Sequence, residues 1–84
     1  MTEQRFYEEL KRVGHRIKII RKAKNMIQLE LEMKTGIERA DISKIEHGKI
    51  NFQYRTLLII ADGLGVHPSE LIKAKSAFDR TEKK

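Results

Sequence analysis

The stretch Gln28–Ile45, QLELEMKTGIERADISKI, decides how this chain folds. Leu31 follows Gln28 by three residues, Gly36 by eight, and Ile42 and Ile45 stand three apart. Leu31 gives one short helix its buried contact. Gly36 ends that helix, because glycine takes the left-handed conformation without strain. Ile37 turns inward. Ile42 and Ile45 recur at helical spacing and anchor a second helix from below, so its opposite face projects outward. The pattern predicts helices over about Ile27–Thr35 and Arg39–Glu46, joined by a tight turn. Asn25, with Gln28 three residues on, has the form of a capping box for the first. Asp41, near the start of the second, suits the positive end of the helix dipole.

Upstream, Phe6, Leu10, Val13, Ile17 and Ile20 are spaced 4, 3, 4 and 3 apart. That is one apolar face of a helix from about Thr2 to Lys24. Gly14 lies inside it, at about 1 kcal/mol relative to alanine. Downstream, Gly48 stops the third helix and Asn51–Gln53 form a loop. Leu57, Leu58, Ile60, Ala61 and Leu64 mark a helix over about Arg55–Leu64, which Gly65 stops. Pro68 at a first helical position and Glu70 two residues later start a fifth helix. No segment reads as a strand. The expected architecture is all-α: a compact five-helix domain over 1–74, followed by a polar tail, 75–84. Met26 and Met33 read as packing or edge residues. Phe6, Tyr7, Phe52, Tyr54 and Phe78 belong either to the core or to a dimer interface.

The chain has 84 residues and a net charge of +6. That length suits one small core and no separate sensor domain. The longest apolar run, Leu57–Ala61, is far too short for a membrane span. The charged Met1–Arg12 segment does not read as a signal peptide, so a cytoplasmic location is expected. Cysteine is absent, which removes disulfides and thiolate metal sites. His15, His47 and His67 lack the spacing of a metal site, and no nucleophile–base set stands out. No cofactor and no enzyme activity are expected. The positive charge favours an anionic partner. It is uneven: Lys11–Lys24 holds seven Lys/Arg and no acid, whereas residues 25–46 sum to −2.

Two helices and a turn with these anchors form a helix-turn-helix, whose second helix enters the major groove of DNA. The sequence resembles the Cro/lambda-repressor-like helix-turn-helix proteins, or XRE family, from Val13 to Leu71. The shared motifs are Ile17 with Arg21, then Gln28, Leu31 and Thr35-Gly36-Ile37. Ile42-Ser43-Lys44-Ile45-Glu46-His47-Gly48-Lys49 follows, with Asn51. Thr56-Leu57, Ile60-Ala61, Leu64-Gly65-Val66 and Ser69-Glu70-Leu71 complete the set. The chain departs from the family at three places. Ile27 replaces the usual Ser or Thr cap, Glu32 stands where a small alanine is preferred, and Phe52 where proline is frequent.

The resemblance implies a bundle of four or five helices that binds duplex DNA sequence-specifically as a homodimer. The operator would be an inverted repeat and the outcome transcriptional control, with repression favoured. It makes Arg39, Ala40 and Lys44 base-reading positions. Chemically, Arg39 suits guanine O6 and N7, Ala40 a thymine methyl, and Lys44 a guanine or a phosphate. Glu38 is either an acceptor for cytosine N4 or a surface acid. Gln28 matches the family's phosphate-binding glutamine, and His47, Lys49 and Asn51 are further phosphate positions. Arg21 and Glu46 match an internal salt bridge. The other basic residues of the first helix read as a solvated face that steers DNA. The rival reading is an antitoxin-type module that neutralises a partner toxin.

Overall fold

The structure is a computed structural model, and it describes residues 1–73. Phe78 and the 75–84 tail therefore lie outside the described residues. Among the described residues there are five helices and no strand: α1 Glu3–Ala23, α2 Gln28–Thr35, α3 Arg39–Glu46, α4 Tyr54–Leu64 and α5 Ser69–Ile72. The all-α expectation holds, and helix limits agree with the sequence reading to within about a turn. Thr2 caps α1, its hydroxyl accepting from the Arg5 N–H at 3.1 Å. None of the described helices is long and apolar enough to cross a membrane.

One core joins all five helices. Val13 and Ile17 of α1, Leu31 of α2, Ile42 and Ile45 of α3, Leu57, Ile60, Ala61 and Leu64 of α4, and Leu71 of α5 are buried together. Ile20, Met26, Ile37, Ile50, Phe52 and Val66 pack around them. Phe6 departs from its periodicity. It is 36% exposed and meets Tyr7 edge-to-face at 5.6 Å, while burial on α1 begins only at Leu10. The spacing identifies the face, but nothing among the described residues buries its first turns. Met33 and Tyr54 are also exposed.

Two expected helix starts differ. Asn25 does not cap α2. It adopts a left-handed φ of 57° and turns the chain two residues earlier, just past the end of α1. The residue preceding α2 is Ile27, which has no side-chain acceptor. Only the other half of a capping box forms, with the Glu30 carboxylate accepting from the Ile27 N–H at 3.0 Å. Pro68 lies one residue ahead of α5 with helical dihedrals, and its carbonyl accepts from the Leu71 N–H at 2.9 Å.

Gly14 is a contact residue and not merely a tolerated weakness in α1. A Cβ built there would fall on the Ile45 carbonyl oxygen and lie 2.9 Å from that of Glu46. The missing side chain lets α1 press onto the C-terminal end of α3. Gly48 closes the same corner, at φ +68°, with a built Cβ 2.7 Å from Lys11 Cα.

Candidate nucleic-acid interface

The outward face of α3 is fixed by what lies beneath it. Ile42 and Ile45 point into the core, which leaves Arg39, Ala40 and Lys44 exposed and Ser43 half-buried. The turn leading into α3 is tightly held. Gly36 takes φ +80° and its N–H donates to the Glu32 carbonyl at 2.7 Å. The Thr35 hydroxyl donates to the Leu31 carbonyl at 2.7 Å and accepts from the Ile37 N–H at 3.1 Å. Thr35 thus stitches the last turn of α2 to the start of the connection.

Beneath the end of α3 sits a buried charged network. Arg21 Nε donates to Glu46 Oε2 at 2.7 Å and Arg21 Nη2 to Glu46 Oε1 at 3.0 Å. Arg21 Nη1 reaches the Met26 carbonyl at 2.7 Å. The two residues are 6% and 4% exposed. Paired guanidinium and carboxylate remove the penalty that either would carry alone. Gln28 joins them, its Nε2 donating to Glu46 Oε1 at 3.0 Å. The network ties the start of α2, the end of α3 and α1 into one unit.

A hollow of about 410 Å³ opens between α2 and α3, lined by Gln28, Glu32, Glu38, Arg39, Ala40 and Ser43. It brings together four of the residues singled out in the sequence: Gln28, Glu38, Arg39 and Ala40. Lys44, His47, Lys49 and Asn51 lie outside it. Asn51 lines a separate hollow on the other flank of α3, with Gly36, Ile37, Asp41 and Phe52 among its walls. Its side-chain oxygen accepts from the Phe52 N–H at 2.8 Å. Gln28 and Asn51 therefore bracket α3 from opposite sides. His47 ends the helix with Nδ1 2.7 Å from the Ser43 carbonyl. That oxygen can only accept, so Nδ1 carries the proton.

Ser43 and Glu32 share the hollow, although the sequence reading gives neither a contact role. For Ser43 the signal was available, since it stands three residues after Ala40 on the face opposite Ile42 and Ile45. For Glu32 only its departure from a small residue gave notice.

A family model described as a helix-turn-helix domain matches residues 14–76. This chain belongs to that family. The helix-turn-helix is 35% identical over 60 residues to the immunity repressor protein of Bacillus phage phi105, covering 71% of this chain and 42% of that one. It thus spans about two fifths of that relative's length. It also superposes on the restriction-modification controller protein C.AhdI from Aeromonas hydrophila. There the TM-score is 0.74 at 30% identity, over 76% of this chain and 97% of that one. A point mutant of the controller protein C.Esp1396I gives a TM-score of 0.70 at 31% identity, over 88% and 89% of the two chains.

Proposed function

We propose that this helix-turn-helix protein is a sequence-specific transcriptional regulator, acting as a repressor. A homodimer places one α3 per subunit in successive major grooves of an inverted-repeat operator. The observation that carries the reading is the outward face of α3. Arg39, Ala40 and Ser43 share a hollow with Gln28, over a helix anchored by the Arg21–Glu46 network. An α-helix with its side chains is about 10–12 Å across, which fits the roughly 12 Å width of the major groove.

Roles follow from chemistry. Arg39 donates to guanine, Ala40 meets a thymine methyl, and Lys44 reaches a guanine or a phosphate. Glu38 accepts from cytosine N4. Gln28 on one flank, and His47, Lys49 and Asn51 at and beyond the end of α3, hold phosphates and set the docking angle. The phage repressor and the controller proteins among the relatives favour this reading over toxin neutralisation or enzyme activity.

The test is selection of binding sites from random duplex DNA, repeated with Arg39→Ala and Lys44→Ala. Wild type should enrich one motif at physiological salt, and Arg39→Ala should relax one position of it. Losing a bidentate contact weakens binding by about 1–3 kcal/mol. No enriched motif would sink the regulator reading. An unchanged motif with Arg39→Ala would remove Arg39 from base reading.

A further inference from the structure

The basic block Lys11–Lys24 carries seven positive charges, and the structure sorts them into two sets. Arg21 is buried against Glu46. Arg12 pairs with Glu9 and reaches the Lys73 carbonyl at 2.6 Å; Arg16 pairs with Glu70. Lys24 turns toward α4, its Nζ 3.7 Å from a Cβ built on Gly65. Lys11, Lys18 and Lys22 remain, and none forms an ion pair with a described residue.

These three are not scattered. At about 100° per residue, spacings of seven and four place them within an arc of about 40°. They run along about 16 Å of α1, the axial length of about five base-pair steps at 3.4 Å each. No acidic residue lies between Lys11 and Lys24 to neutralise the line. The line also has a fixed neighbour. Lys11 packs directly on Gly48, in the turn between His47 and Lys49, and Gly14 abuts the last carbonyls of α3. Lys11 thus adjoins the C-terminal end of α3 beside His47 and Lys49, and Lys18 and Lys22 extend the line from there along α1.

We infer that Lys11, Lys18 and Lys22 form a second phosphate-binding track, which grips the sugar–phosphate backbone of the same duplex outside the half-site read by α3. The occupant is a polyanion with regularly spaced charges, because the track offers three cations in line with no acid among them. This inference rests on the docking proposed above, and it replaces diffusional steering with direct contact. Contact releases condensed counterions, whereas a solvated face that only steers does not.

The experiment measures affinity against salt on the selected operator and on random duplex. Wild type is compared with the triple variant Lys11→Gln, Lys18→Gln, Lys22→Gln, and with Lys→Arg at the same three positions. Thermal unfolding checks that each remains folded. Each lost phosphate contact lowers the slope of log K against log salt by about 0.9, so the Gln variant should lose about 2.7. It should bind both duplexes at least about tenfold more weakly at 0.1 M salt. The Arg variant should keep the wild-type slope. A slope reduced by less than one on both duplexes overturns the track and leaves the lysines to steering or to an acidic protein partner. That result is separable from failure of the regulator reading, which shows as the absence of any enriched motif in wild type.

Discussion

At the residue scale, two positions carry the geometry of α3, and both give predictions. Gly14 lies where α1 presses on the Ile45 and Glu46 carbonyls, and an added methyl has backbone on its far side and no flexible side chain to displace. Gly14→Ala gains helix propensity of about 1 kcal/mol but must push two helices apart. Overpacking of this kind costs about 1–3 kcal/mol, more where only backbone can yield. Net destabilisation of about 1–2 kcal/mol is expected in urea unfolding. A stabilised variant would show that α1 and α3 are less tightly apposed. Glu46→Ala leaves the Arg21 guanidinium buried with only the Met26 carbonyl and costs about 3–5 kcal/mol. That rivals the whole stability of a chain this size, about 4–12 kcal/mol. The variant should be largely unfolded near 37 °C by circular dichroism, whereas Arg39→Ala, at an exposed position, should melt like wild type. The contrast in legibility has a physical cause. The outward placement of Arg39 and Ala40 followed from local periodicity, because a helix face depends only on residues three and four apart, whereas their base-reading role is implied by the family resemblance alone. The packing role of Gly14 depends on a helix thirty residues away, and only its propensity penalty showed in the sequence. The Arg21–Glu46 pairing came from family resemblance, since nothing in spacing joins residues 25 positions apart.

At the element scale, α5 shows how a four-residue helix is held. Alone it would not form, because nucleating a helix is unfavourable and so short a piece never repays it. Leu71 plugs the core, and α1 supplies donors to carbonyls that α5 cannot satisfy internally. Arg12 donates to the Ile72 and Lys73 carbonyls at 3.2 and 2.6 Å, and Arg16 donates to the Glu70 carbonyl. The double variant Arg12→Ala, Arg16→Ala should raise hydrogen exchange in α5 selectively, leaving α2 and α3 protected. Uniform loss of protection would mean that α5 is integral to the bundle rather than clamped onto it. The clamp also has a pH signature. The Glu70 carboxyl is held below the usual range by a hydrogen bond from Lys73, then by the Lys73 charge, and to a lesser degree by Arg16. Glu9 is lowered chiefly by its hydrogen bond from Arg12. Both groups favour their charged form more when folded. Their stabilisation is therefore complete well above the unfolded value, about 4.3, and is lost as pH falls through the lowered folded values. The Glu9 and Glu70 side chains are 42% and 40% exposed, so solvent screens both and the effect is small. A melting series from pH 7 down to 3 should fall more steeply in wild type than in the double variant, and parallel curves would refute the coupling. Helix existence was readable from periodicity and glycine stops. The clamp was not, because the arginines looked like a solvated face until a distant segment lay beside them.

At the scale of the whole molecule, the net charge of +6 points to an anion but misplaces the contact. Residues 25–46, which hold the helix-turn-helix core, are net negative, so under the proposed docking recognition there rests on directed contacts, with long-range attraction left to the basic block of α1. One recognition helix reads only a few base pairs, and at about 1–3 kcal/mol per position it gives little discrimination against a genome. Two helices on a two-fold axis double the contacts and make the second docking intramolecular, which raises affinity by about a hundredfold or more. In the proposed dimer, half-site centres lie one helical turn apart, about 34–36 Å or 10–10.5 base pairs, or a whole multiple of it, so that both face the same side of the duplex. A duplex with one half-site should bind at least about a hundredfold more weakly than the full operator. Inserting about half a turn, five base pairs, between the half-sites places the second on the opposite face of the duplex, and affinity should fall to the half-site level. Equal binding of the half-site, full-site and inserted duplexes would mean that a monomer is the binding unit, and the proposed dimer would fall even if Arg39 still reads its base.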